Sequence, residues 1–158
     1  LPGDGVLPGR AGEPPDTTAA IPHRQTSQVA PPQLREVLWQ RLVALDGVTP
    51  GEATVGPPGT RSLLLDRGAA RGPDTAYLLP GDGEFAHLHP PDDGALHLAL
   101  PDDLAYDAVV KGWAVPHPLA GLRLGSGAVL VPGPRDETEL GVVAAIAAAA
   151  HRHATGAT

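Results

Sequence analysis

Apolar and polar residues alternate with a period of two along Glu84-Phe85-Ala86-His87-Leu88-His89-Pro90 and again along Ala95-Leu96-His97-Leu98-Ala99-Leu100. That rhythm is the signature of strands. Pro90-Pro91-Asp92-Asp93-Gly94 between them has turn composition, so the pair reads as an antiparallel hairpin. Alternation and loop length set the register, with facing residues summing to about 184. His87 then faces His97, and His89 faces Ala95. One face carries Phe85, His87, His89 and His97; the other carries Ala86, Leu88, Leu96, Leu98 and Leu100. The leucine face is core, and the imidazole face is where chemistry is expected.

The rest of the pattern builds around this hairpin. Pro32 suits a first helical turn, apolar residues recur at Leu34, Val37, Leu38, Leu42 and Leu45, and Gly47 stops the helix. Arg61 to Asp66 and Thr75 to Leu79 read as strands separated by a turn-like stretch. A second helix starts near Pro101, with Asp102 and Asp103 at its positive end and Gly112 after it. Ala128-Val129-Leu130-Val131 is a short strand closed by Pro132. Asp136 caps a last helix, with Glu139 three residues on and Val142, Val143 and Ile146 facing inward. The expected fold is α+β: a single domain, a mostly antiparallel sheet packed against about three helices. Residues 1–30, rich in Gly, Pro and Thr without hydrophobic period, read as a flexible leader, and residues 31–154 as the domain.

Composition narrows the function classes. A length of 158 residues suits one domain with a real core. A net charge of −7, without a Lys/Arg stripe, argues against nucleic acid as a partner. The chain has no cysteine, which excludes disulfides and thiolate metal sites. Its longest apolar stretch, Val142 to Ala150, is too short and alanine-rich to span a membrane. A cytoplasmic protein with no membrane partner is expected.

Three imidazoles on a rigid sheet face can converge on one metal ion, so His87, His89 and His97 form a candidate metal triplet. The same face also suits a metal-free pocket for a small ligand, or plain backbone hydrogen bonding. His117, between Pro116 and Pro118, has a stiff backbone that can aim its ring. Trp113 can wall a flat organic ligand or anchor the core after the helix stop. Arg135, just before the last helix, can bind an anion or pair with a nearby acid such as Asp136 or Glu137.

The string Glu84-Phe85-Ala86-His87-Leu88-His89-Pro90, with Leu96-His97-Leu98, Lys111-Gly112-Trp113, His117-Pro118-Leu119-Ala120-Gly121 and Gly133-Pro134-Arg135-Asp136-Glu137, resembles the luciferase-domain family. That family contains the fungal luciferases and uncharacterised bacterial proteins, and the bacterial branch looks closest. The resemblance spans roughly residues 75 to 153. In the fungal enzymes it implies oxidation of a hydroxylated styryl-pyrone by molecular oxygen, with loss of carbon dioxide, light emission and no added organic cofactor. The family's histidine motif falls on His87, His89 and His97, its Gly-Trp step on Gly112-Trp113, its His-Pro on His117-Pro118 and its Pro-Arg on Pro134-Arg135.

Pattern and resemblance together lead to an oxygenase-like domain acting on an enolisable or phenolic molecule, with that molecule and molecular oxygen as partners. His87 or His97 is the expected base, because imidazole titrates near neutrality. His89, His117 and Arg135 are expected to hold substrate oxygens, and Phe85 and Trp113 to flank the ring. No cofactor is required in this reading. A non-catalytic ligand-binding module and a histidine-ligated metalloprotein stay open beside it.

Overall fold

The computed structural model describes residues 5–157. Pro31 is extended ahead of helix α1 (Pro32–Val43), which buries Arg35, Leu38, Trp39 and Leu42 along one side. Gly47, at φ +73°, then turns the chain into strand β1 (Val48–Glu52). This strand has no alternating pattern and contains Pro50 and Gly51, so the sequence offered no sign of it. Its place explains how it tolerates them: β1 lies at the sheet edge, where a missing N–H costs least.

Strands β2 (Arg61–Leu65), β3 (Glu84–Leu88) and β4 (Leu96–Ala99) follow, then helix α2 (Asp102–Val110), the two-residue β5 (Val115–Pro116), β6 (Ala128–Val131) and helix α3 (Glu137–Thr155). The strands form one sheet of order β1-β2-β3-β4-β6-β5, and every neighbouring pair is antiparallel. The architecture is the expected α+β, with three α-helices among the described residues and one antiparallel sheet.

The hairpin register is the expected one. Ala86 pairs with Leu98, His87 with His97 and Leu88 with Leu96, and the His89 amide donates to the Ala95 carbonyl at 2.9 Å. Leu88, Leu96 and Leu98 join Val143, Ile146 and Ala147 of α3 and Leu38 and Leu42 of α1 in a single core. Asp136 caps α3 as expected, its carboxylate accepting the Glu139 amide at 2.8 Å.

Two expectations need correction. Thr75 to Leu79 is not a strand: Asp74–Ala76 is a short 3₁₀ turn, and only an isolated bridge joins Leu79 to Glu84. Both edges of β3 are already taken by β2 and β4, so no ladder is left for another strand. Residues 5–30, expected as a flexible leader, pack on the domain; residues 1–4 of that leader lie outside the described residues. Leu7 sits in the core, 2 % exposed. The Trp113 indole donates to the Pro8 carbonyl at 2.6 Å, and the Arg10 amide to the Lys111 carbonyl at 2.9 Å. Widely spaced apolar residues anchored by backbone hydrogen bonds need no hydrophobic period, which is why composition pointed the other way.

Candidate functional site

The histidine face of the hairpin is buried. His97 is its hub. Its Nδ1 lies 3.0 Å from His87 Nε2 and 3.1 Å from His89 Nε2. On the far side of the ring, its Nε2 lies 3.1 Å from Nδ1 of His23. The His117 ring meets His97 edge-on at 4.8 Å between centroids and His23 at 5.3 Å. Five of the seven histidines therefore form one cluster.

A β-bulge gives the cluster its first carboxylate. Between β2 and β3 the pairing steps from Leu63 with Ala86 to Leu64 with Glu84, so Phe85 is the extra residue. A bulge offsets the alternation by one position. Glu84, placed by simple alternation on the leucine side, instead lies with the histidines, its Oε1 3.2 Å from His87 Nδ1. The Ser62 hydroxyl donates to the other carboxylate oxygen. Phe85 moves the opposite way, into the core, where its ring meets His151 of α3 edge-on at 5.7 Å.

The hairpin turn supplies the second carboxylate. Asp93, fully buried, places Oδ2 2.7 Å from His89 Nδ1 and accepts the Ala95 amide at 3.1 Å through Oδ1. Arg24 reaches the same carboxylate at 3.4 Å. Arg35 of α1 donates twice to the His89 carbonyl, at 2.8 and 3.0 Å. His89 is thus held at its ring and at its backbone.

Burial, then the neighbouring His87, His89, His117 and His23 rings, pushes the His97 imidazole well below the usual histidine range. His117 is pushed down to about 4, first by burial and then by His23, His87 and His89. His23 is lowered by burial and by His89, with Asp93 partly opposing. Desolvation disfavours the charged ring, so these three are neutral at pH 7. His117 accepts the Leu119 amide at its Nδ1, 3.0 Å away. In the neutral ring the proton is therefore on Nε2, leaving a donor to offer.

Above the cluster opens a cavity of about 640 Å³, to which His23, His87, His89, His97 and His117 all contribute. Its other walls are mostly apolar: Ile21 and Pro22 of the N-terminal segment, Val55, Pro57 and Pro58 between β1 and β2, Leu78 and Leu79, and Leu119 and Leu124. Arg123 is the one Lys or Arg on the wall, and it makes no hydrogen bond or ion pair among the described residues. A pocket of this size, apolar with a few convergent polar groups, suits a small organic molecule.

Of the residues singled out from sequence, the structure gathers His87, His89, His97 and His117. It places the other three elsewhere. Phe85 is core, displaced by the bulge. Trp113 is buried with its N–H given to Pro8. Arg135 grips Glu139 through Nε at 3.0 Å and the Ala11 carbonyl at 2.6 Å, so it ties the N-terminal segment to α3. Sequence reading missed His23, Glu84 and Asp93. One signal for His23 was present: Ile21-Pro22-His23 repeats the Val115-Pro116-His117 pattern. For Asp93 the turn composition masked a carboxylate four residues after His89.

Residues 82–150 match the family model of the luciferase domain. Glu84, Asp93 and four of the five clustered histidines fall within the matched residues; His23 lies outside them. No significant match was found among curated proteins or among solved structures.

Proposed function

We infer that the protein binds a small enolisable or phenolic organic molecule in the cavity and oxidises it with molecular oxygen. One observation carries this reading. Five imidazoles, three of them neutral at pH 7, converge on the floor of an apolar cavity inside a luciferase-like domain. The apolar walls take the ring system, and the floor takes the acidic hydroxyl.

The catalytic pair is His87 and His97. His87 is the better base, because Glu84 orients its ring and stabilises the imidazolium that forms on taking a proton. The Nε2–H of His117 holds the developing oxyanion, while His89 spends its N–H on Asp93. The enolate then gives one electron to oxygen; the carbon radical and superoxide combine as a peroxide, which recovers the proton from His87. Overall, substrate and oxygen give a hydroperoxide, with no other oxidant. Phe85, Trp113 and Arg135 have no part in it.

The test is oxygen uptake over a panel of hydroxylated pyrones and polyphenols, with binding followed by tryptophan fluorescence. Uptake with at least one of them, lost in His87→Ala, supports the reading. Tight binding with no uptake anywhere in the panel replaces it with a non-catalytic binding module. Absence of binding removes both.

A further inference from the structure

The proton positions around His97 do not balance in an all-imidazole cluster. Glu84 and Asp93 accept at Nδ1 of His87 and His89, so in neutral rings the protons sit there and both Nε2 atoms present bare lone pairs. Both lone pairs point at the same atom, His97 Nδ1, at 3.0 and 3.1 Å. One N–H cannot serve two acceptors at full strength. Two carboxylates, 1 % and 0 % exposed, are buried here. Arg24 reaches Asp93, but no Lys or Arg among the described residues reaches Glu84. Buried charges need a partner.

We propose that His87 and His89 through Nε2, and His97 through Nδ1, hold one divalent first-row transition-metal ion at the cavity floor. The spacing fits. With metal–nitrogen bonds of roughly 2.0–2.1 Å, nitrogens sharing an ion lie about 3–3.4 Å apart. The donor set of three imidazoles suits iron, zinc, copper or nickel and not magnesium or calcium. An ion accepts both bare lone pairs.

The second nitrogen of every ligand ring is already engaged, as metal-bound histidines require. His87 has Glu84, His89 has Asp93, and His97 has His23, to which its Nε2–H would donate. These three are positioning residues. The alternative grouping of His23, His97 and His117 also brings nitrogens together. It lacks this support: the His117 Nδ1 is spent on the Leu119 amide, and neither His23 nor His117 is hydrogen-bonded to a carboxylate.

The proposal deepens the oxygenase reading, and rests on it for the use of the ion but not for its binding. With the ion bound, His87 and His97 would serve as ligands and His87 would no longer be the base; the ion would lower the pKa of an enol hydroxyl held there, and its proton would pass to solvent water.

The test uses untagged full-length protein, analysed for metals as purified, then stripped with chelator and titrated with Co(II) at pH 7. Visible d–d absorption and calorimetry report binding independently of any activity. One equivalent of Co(II) per chain with ligand-field bands is expected, lost in His89→Ala and unchanged in His117→Ala. Glu84→Gln, nearly isosteric, is expected to weaken binding by about 10–100-fold. Wild-type protein that takes up no stoichiometric Co(II), whatever the variants do, overturns the proposal; so does binding that survives His89→Ala. Oxygen uptake by fully stripped protein removes the ion from the reaction, leaves its binding to the Co(II) titration and spares the oxygenase reading. Stoichiometric Co(II) with no uptake in any metal form supports the site and removes that reading instead.

Discussion

His97 and His87 face each other across the β3–β4 ladder, with Nδ1 of one 3.0 Å from Nε2 of the other. Facing positions of an antiparallel pair bring side chains into direct contact, so the register alone creates the centre of the site. His97 also contacts His23, His89 and His117. Replacing it by Ala should therefore do two things. It strands buried partners, lowering the unfolding free energy by about 1–3 kcal/mol, and it abolishes ligand binding. Urea unfolding and fluorescence titration of His97→Ala measure both. Intact binding with lowered stability would mean the cluster is only a buried polar network.

The N-terminal segment should behave as part of the fold. Leu7 is buried in the same core cluster as Trp113, and Leu→Ala in a core costs about 2–5 kcal/mol. Leu7→Ala should lower the melting temperature by several degrees. Removal of residues 1–30 should lower it further and take His23 from the cavity. A truncated protein that melts with the parent would return this segment to the status of a detached leader.

The hairpin, its register, the last helix and its cap were legible because each rests on local periodicity or local turn chemistry. Leu88, Leu96 and Leu98 declare their face by alternation, and alternation is what a strand obeys. Phe85 marks where that logic ends. Its place depends on a mismatch with Leu63 and Leu64, some twenty residues away in the chain, which no local pattern contains. The same non-local step carries Glu84 to the histidine face. His23 was invisible for a related reason: it reaches His97 across 74 residues of sequence, from a segment without period.

Glu139 makes acid stability a test of the Arg135 assignment. Burial raises its carboxyl pKa, but hydrogen bonds from the Arg135 side chain and amide outweigh this and hold it below the usual range. A folded pKa below the unfolded one means that stability from this group is present above about 4.5 and lost as pH falls through the folded value. Glu139→Gln should thus be less stable than the parent at pH 7, by about 1–2 kcal/mol, with the gap closing as pH falls through the folded value. Arg135→Ala should reproduce the loss at pH 7 and leave ligand affinity untouched. An Arg135→Ala protein of normal stability that fails to bind ligand would restore Arg135 to the site.

Arg123 should select the charge of the ligand. It lines the cavity, is exposed and has no acidic partner among the described residues. A guanidinium placed so can meet a carboxylate or phenolate oxygen bidentately. Because it is exposed, the gain is modest and screened by salt, of order 0.5–1 kcal/mol. Arg123→Ala should weaken an anionic phenolic ligand several-fold at low ionic strength, leave a neutral analogue of the same shape unaffected, and lose its effect in 1 M salt, where screening reaches about 3 Å. Fluorescence titrations of the ligand pair at both salt concentrations decide it. Equal weakening of charged and neutral ligands would assign Arg123 to the shape of the cavity mouth and remove it from charge recognition.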